Sequence, residues 1–249
     1  MTGWATRPPD WEHPITFAGW FHLAFFGLLI PWLAWRSRAR LAEQASVPRA
    51  RHLANVVLQL LLFLVLSLIV AWAQSVPIWT APTGRLMPWL VAALLVAAGV
   101  LLMRPRWRAD VAKRDPRVRL FMVSTPRERW LWVAVSVAAG VSEEITFRGV
   151  MFALLWLVTG SPVAAAVIAA IVFGASHSTQ GWASAGIITV IALVLHGLVA
   201  YSGTLYPAIA AHTAYDIIAG FTYGRLARQL GYDPVAPTPG QFPEALPAP

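Results

Sequence analysis

The sequence predicts an all-α membrane protein, a polytopic bundle of seven to eight transmembrane helices with an interfacial segment on the cytoplasmic side. Three observations carry that class. Hydrophobic residues make up 58% of the 249 positions and charged residues only 12%, about half of the ~25% charge usual for a soluble domain. Apolar runs close to the ~20 residues that cross a hydrocarbon core recur along the chain. Basic residues gather in alternate loops between those runs. Cysteine is absent, which excludes disulfides, thiolate zinc ligands and a cysteine nucleophile.

Taken in order, the apolar segments are 15–35, 53–73, 87–103, 130–157, 162–177, 184–200 and 204–222. The segment before the first, MTGWATRPPDWEHP, is polar and lacks a basic n-region, so a cleavable signal peptide is not expected. The fourth run, 28 residues long, exceeds one span. It is tilted, partly outside the bilayer, or broken into two pieces, the last giving eight spans. Thr125-Pro126-Arg127-Glu128 fits a capping box with proline at the first helical position, so the fourth helix should start there. The loop 104–129 can hold an amphipathic interfacial helix with Trp107, Val111, Val118, Leu120 and Phe121 on its apolar face. The proline-rich tail 233–249 reads as disordered.

Arg36, Arg38, Arg40, Arg49 and Arg51 occupy the first loop, and Arg104, Arg106, Arg108, Lys113, Arg114, Arg117, Arg119, Arg127 and Arg129 the third. Arg225 and Arg228 follow the last span, while the opposite side holds only Arg7 and Arg85. The positive-inside rule then places these loops and the C-terminus in the cytoplasm and the N-terminus outside. The net charge of +8 is thus a topology signal and a lipid-headgroup contact, with no nucleic-acid partner. Trp20, Trp32, Trp35, Trp130 and Trp132 read as interfacial belt anchors.

Only three carboxylates fall inside the spans: Glu143, Glu144 and Asp216. Each costs about 2.5–3.5 kcal/mol at a helix centre, so such groups face a bundle interior or a wet cavity and are functional candidates by default. Glu144 and Arg148 are four apart and share a helical face. Glu143 lies about 100° round the helix, free of that pair and available for proton chemistry. The bland reading is a structural Glu–Arg clasp with Glu143 a bystander. Two further stretches add imidazoles: Phe173 and His177 are four apart in "FGASH", and His212 and Asp216 are four apart in "AHTAYD". Asp216 can orient His212 or share a ligand with it. His196 and His22 have no acidic neighbour at helical spacing and read as packing or hydrogen-bonding residues. Ala138, Ala139, Gly140 and Gly149 allow close helix approach beside the carboxylates.

E-E-x-x-x-R at 143–148, F-x-x-x-H at 173–177 and H-x-x-x-D at 212–216 resemble, in that order, the motifs of the CPBP family of intramembrane proteases. That family includes the eukaryotic CAAX prenyl endopeptidases and bacterial relatives, some tied to bacteriocin self-immunity. The resemblance covers roughly 125–222. It suggests an unassigned N-terminal membrane region over 1–120, a catalytic helix bundle over 121–224 and a tail over 225–249. It implies an endopeptidase in which Glu143, with His177, activates water for attack on a peptide carbonyl. His212 and residue 216 would hold the oxyanion or the water; Glu144 and Arg148 would be the structural pair, with Phe173 in support. Position 216 is Asp where the family has Asn or Asp, and an ionised Asp cannot donate to an oxyanion. Asp216 would instead orient His212, stay protonated or bind a metal. Whether a metal takes part stays open: Glu143, His177 and His212 are a Zn2+ set by ligand type. The implied partners are a peptide or protein substrate at the membrane and the bilayer itself.

One difficulty concerns depth. At 1.5 Å per residue Glu143 lies about 20 Å above Arg129, while His177 sits near the cytoplasmic end of its helix. The two meet only if the fourth helix begins below the membrane surface or its pitch is broken, which predicts a site in the cytoplasmic half. Two other function classes stand beside the protease. A proton-coupled transporter would use the same groups as a relay, but no inverted repeat is detectable. An inactive scaffold would keep the Glu144–Arg148 clasp and have no use for Glu143 and both histidines. The high Ala, Arg, Pro and Trp usage points to a GC-rich bacterial source, hence a plasma (inner) membrane.

Overall fold

A computed structural model describes residues 14–38, 48–81, 84–114 and 116–231. The N-terminal segment 1–13, Arg40 and the proline-rich tail 233–249, for which the sequence suggests disorder, lie outside the described residues. Among the described residues there are seven helices and no strand. They are α1 (Phe17–Ser37), α2 (Arg49–Ala73), α3 (Met87–Ala112), α4 (126–159), α5 (Pro162–Ser176), α6 (Trp182–Ser202) and α7 (Tyr206–Gln229). Four of them, α1, α2, α3 and α6, are long and apolar enough to cross a membrane, and α5 is a shorter apolar helix. Their outward faces are correspondingly greasy: Phe17, Leu28, Trp72, Leu94, Leu101 and Leu102 are all exposed. A soluble protein does not display apolar surface on that scale. The chain is an integral membrane protein.

The fourth apolar run is one continuous helix, so the described residues form seven helices. It starts where the capping box puts it. Thr125 Oγ1 accepts from the Glu128 backbone N–H, and the Glu128 carboxylate accepts from the Thr125 and Ser124 N–H groups at 3.1 and 2.9 Å. The same carboxylate is bound by Arg49 of α2, whose Nε donates to Oε1 at 3.0 Å and whose Nη2 donates to Ser124 Oγ at 2.9 Å. Burial opposes the charge on Glu128, but these N–H donors and the Arg49 guanidinium outweigh it and hold its pKa down at about 2. An ion clasp therefore ties the N-terminal ends of α2 and α4. Gly160, in the left-handed region at φ 66°, ends α4, and Ser161 caps α5 by accepting from the Ala164 N–H at 3.2 Å. That two-residue turn makes α4 and α5 antiparallel neighbours.

The interfacial segment departs from expectation. Residues 104–129 contain no separate interfacial α-helix: α3 runs on to Ala112, and a 3-10 segment, Pro116–Phe121, follows. Trp107, Val111 and Val118 are buried against Tyr223 and Leu226 of α7 rather than laid on lipid. Trp107, Val111, Val118 and Phe121 do gather in one cluster, but they come from two elements, and the neighbouring helix α7 packs against that cluster.

Packing places α4 and α7 side by side, with α2 against α4, α3 against α7, α6 against α5, and the second half of α1 against α5. Small residues set the closest approaches. A Cβ on Gly140 of α4 would overlap Thr213 Oγ1 of α7, and one on Gly220 of α7 would overlap the Trp132 ring of α4.

Candidate active site

Glu143 is the last residue of the regular α-helical part of α4, and a π-helical segment, Glu144–Met151, begins at the next position. All eight of its residues are buried. Extra residues inserted into a helix in this way recur at functional sites, because the widened turn re-aims side chains that a regular helix would stack. Here Glu144 and Arg148, both with no exposed side-chain surface, pair at 3.1 Å between Oε1 and Nη1. The guanidinium also sits 4.4 Å from the centroid of the Phe173 ring. Glu143 stays out of this pair.

Each histidine is held by its Nδ1. His177 ends α5, where backbone carbonyls run out of helical partners; its ring donates Nδ1–H to the Phe173 carbonyl at 2.8 Å. The F-x-x-x-H spacing is what makes this possible, since the carbonyl four residues back is the one within reach. Phe173 packs against the same ring, tilted by 53° with centroids 4.6 Å apart, and stands edge-on to His212 at 6.3 Å. His212, on α7, donates Nδ1–H to Glu144 Oε1 at 2.8 Å. A carbonyl and a carboxylate can only accept, so both rings carry hydrogen on Nδ1 and both present Nε2 to the same place.

That place is Glu143. Its Oε1 lies 4.0 Å from His177 Nε2 and its Oε2 3.6 Å from His212 Nε2. Asp216 Oδ2 is 3.5 Å from His212 Nε2. These separations are longer than a direct hydrogen bond and bring a carboxylate and two imidazoles around a single point, a span that one bridging molecule fits. His177 and Glu143 do meet, the latter on a helix α4 that starts at the Thr125 cap and is regular as far as Glu143. Among the described residues, no group of three or more His, Cys, Asp and Glu is drawn together in a way that could hold a metal ion. As placed, Glu143, His177 and His212 do not form the zinc set that their types suggest.

The four groups line a cavity of about 980 Å3. Its other walls are mostly apolar and come from α1, α2, α3 and α6, through residues such as Phe26, Leu60, Leu95 and Leu195. It is thus open to contributions from the N-terminal helices, on which the sequence motifs are silent.

Some site features escaped the sequence reading. Glu144 was matched with Arg148 alone, whereas it also fixes the tautomer of His212, 68 residues away. Trp132 is not a belt anchor: it is buried and donates Nε1–H to the Asp216 carbonyl at 2.8 Å. A signal for this existed, because Trp130 and Trp132 point about 200° apart on a helix and both cannot face lipid. Trp130 is the exposed one, as are Trp20, Trp32 and Trp35. His22 and His196 are buried and are not among the residues lining the cavity; His22 pairs through Nε2 with the Thr146 carbonyl at 3.3 Å, and His196 packs on Phe152.

Residues 125–218 match a family described as Rce1-like, type II CAAX prenyl endopeptidase Rce1-like. No curated protein and no solved structure matches the chain.

Proposed function

We propose that this chain, whose residues 125–218 match the Rce1-like type II CAAX prenyl endopeptidase family, is an intramembrane protease of the CPBP type and hydrolyses a peptide bond of a membrane-associated peptide or protein. The observation that carries this reading is Glu143 between two imidazole Nε2 atoms, at 4.0 and 3.6 Å, on the wall of a cavity. Glu143 takes a proton from water. His177 Nε2, whose opposite nitrogen is committed to the Phe173 carbonyl, accepts from the second hydrogen and aims the oxygen. That oxygen attacks the peptide carbonyl carbon. As the tetrahedral intermediate collapses, the C–N bond breaks and Glu143 delivers its proton to the leaving amine, so the products are a carboxylic acid and an amine. His212, gripped at Nδ1 by Glu144 and flanked at Nε2 by Asp216, faces the carbonyl oxygen and in its protonated form donates to the developing oxyanion. Asp216 orients His212, since an ionised carboxylate has nothing to donate. Glu144, Arg148 and Phe173 position these groups without touching substrate.

In this reading 121–224 carries the chemistry and helices α1–α3 supply the rest of the cavity. The protein sits in a bacterial inner membrane with its C-terminus in the cytoplasm and the site in the cytoplasmic half. The mechanism routes no step through a metal. Reconstituted in liposomes with a peptide library, the unaltered protein should cleave, and Glu143→Ala and His177→Ala should each abolish cleavage at normal expression. Glu144→Ala and Arg148→Ala should instead lower the folded yield. Near-normal turnover in Glu143→Ala refutes the mechanism. A transporter that uses the same carboxylates would move protons in Glu143-dependent fashion and produce no new peptide termini.

A further inference from the structure

Thr146 is the third residue of the π-helical segment and lines the same cavity as Glu143, three positions before it. It is buried, and both its carbonyl and its hydroxyl are taken by helices outside the segment that matches the family. His22 of α1 donates Nε2–H to the Thr146 carbonyl at 3.3 Å. Ser67 of α2 shares a hydrogen bond with Thr146 Oγ1 at 2.7 Å. His22 and Ser67 are 1% and 0% exposed, so both bonds are shut off from solvent. Beside them Phe26, from a π-helical stretch of α1 itself, Phe25–Leu29, stands edge-on to Phe147 with centroids 6.3 Å apart.

Packing alone does not account for the His22 ring. A carbonyl only accepts, so the hydrogen sits on Nε2 and Nδ1 is bare. Nδ1 is buried and has no partner among the described residues, and an unpaired acceptor in an apolar interior costs free energy. Methionine would fill similar space without that cost; what it lacks is the donor to Thr146. A π-helical turn holds one residue more than the α-helical turn it replaces, and closing it would swing the residues beyond it by about 100°. Glu143 just before the widened turn, and Glu144, Phe147 and Arg148 within it, keep their mutual directions only while it stays open. Glu144 in turn grips His212 Nδ1 at 2.8 Å.

We propose that His22 and Ser67 are positioning residues of the Glu143 site: holding the carbonyl and the hydroxyl of Thr146 from two different helices, they keep the widened turn open and so fix the aim of Glu144 on His212. This rests on the endopeptidase reading above. Neither residue lines the cavity, so neither reaches substrate. Helices α1 and α2 are then working parts of the site as well as walls, and the segment 125–218 does not set its geometry alone.

The test compares variants of the full chain in nanodiscs by three readouts. These are the unfolding midpoint, kcat and KM for a peptide that the unaltered protein cleaves, and the Nδ1–H resonance of His212 in protein carrying nitrogen-labelled histidine. The resonance is assigned by its loss in His212→Gln. His22→Met should lower kcat about 10- to 100-fold, the range for reacting groups misplaced by up to about 1 Å, leave KM unaltered and shift the resonance. His22→Gln, which brings an amide N–H to the place of Nε2–H, should recover most of the loss. Thr16→Val is the control for the docking of α1: Thr16 bonds Gln74 Oε1 of the α2 end through its N–H and its hydroxyl at 2.9 and 2.8 Å. It should lower the midpoint and leave kcat and the resonance where they were. Ser67→Ala and Thr146→Val should each lower kcat, and the pair together no further than Thr146→Val alone, because both remove one bond. An unmoved kcat in His22→Met overturns the proposal, as does a Thr16→Val protein that loses as much. Additive losses in the Ser67→Ala, Thr146→Val pair overturn it too, and that pair decides alone if His22→Met does not fold. If the unaltered protein cleaves nothing, the hydrolytic reading fails and the His212 resonance still decides whether His22 sets that ring; cleavage at unaltered kcat in every variant leaves the hydrolytic reading and removes this one.

Discussion

Gly140→Ala tests the closest helix contact beside the site. A Cβ there would overlap Thr213 Oγ1 and come within 3.1 Å of two backbone atoms of α7, Ile209 O and Thr213 N. The hydroxyl can rotate between two helical rotamers, but the backbone atoms cannot, so α4 and α7 must separate. Moving from overlap to ordinary contact near 3.5 Å takes on the order of 1 Å at Thr213 and a few tenths at the backbone. Overpacking of this kind costs about 1–3 kcal/mol, which at about 2–4 °C per kcal/mol for a chain of this size lowers the unfolding midpoint by roughly 2–12 °C. Function should suffer more than stability. Gly140 is one helical turn before Glu143, and Thr213 follows His212 directly, so the same displacement opens the 3.6 Å gap between Glu143 and His212. A misplacement of about 1 Å at reacting groups can cost ~100-fold in rate. The assay is thermal unfolding of detergent-purified protein alongside cleavage in liposomes. Adding Thr213→Ala removes the worst overlap and should restore part of the midpoint, the two backbone contacts remaining. A Gly140→Ala protein that unfolds at the unaltered temperature and cleaves at the unaltered rate would refute the contact and the coupling built on it.

Further outcomes follow from the same geometry. Because the Glu128 pKa of about 2 lies below its ordinary 4.5, its contribution to stability is complete above pH 4.5 and is lost as pH falls from there toward 2. Unfolding midpoints measured across that window should drop less steeply in Arg49→Met than in the unaltered protein, and identical slopes would show that the clasp is not what depresses this pKa. Trp132→Phe removes the donor to the Asp216 carbonyl and should cost about 0.5–1.5 kcal/mol in stability; a larger fall in turnover, read by cleavage rate at matched folded protein, would show the α4–α7 bond positions Asp216 and His212. Extended treatment with a chelator, followed by metal analysis, should leave cleavage intact if Glu143 works on water alone; loss of cleavage reversed by added zinc would replace that mechanism.

Much of the fold was legible because it depends on local quantities. Run length gives the apolar segments, and the Thr125–Glu128 box marks a helix start through interactions within a few residues. The motif residues were legible for a related reason: a carboxylate in an apolar run is costly wherever the helix ends up, so Glu143, Glu144 and Asp216 stand out before any packing is known. Loop 104–129 was less so, because an apolar face looks the same whether lipid or a neighbouring helix covers it, and here α7 covers it.

By itself the sequence determined the membrane class, seven apolar runs, and three pairs of residues at four-residue spacing. Tertiary structure alone decided that His212 turns its Nδ1 to Glu144, that Trp132 holds the Asp216 carbonyl, and that Arg38 and Arg106 reach the first turn of α6. Spacing within a helix is set by its pitch, which every residue obeys. Which faces of distant helices meet is set by where small residues such as Gly140 and Gly220 let backbones approach, and that depends on partners far away along the chain.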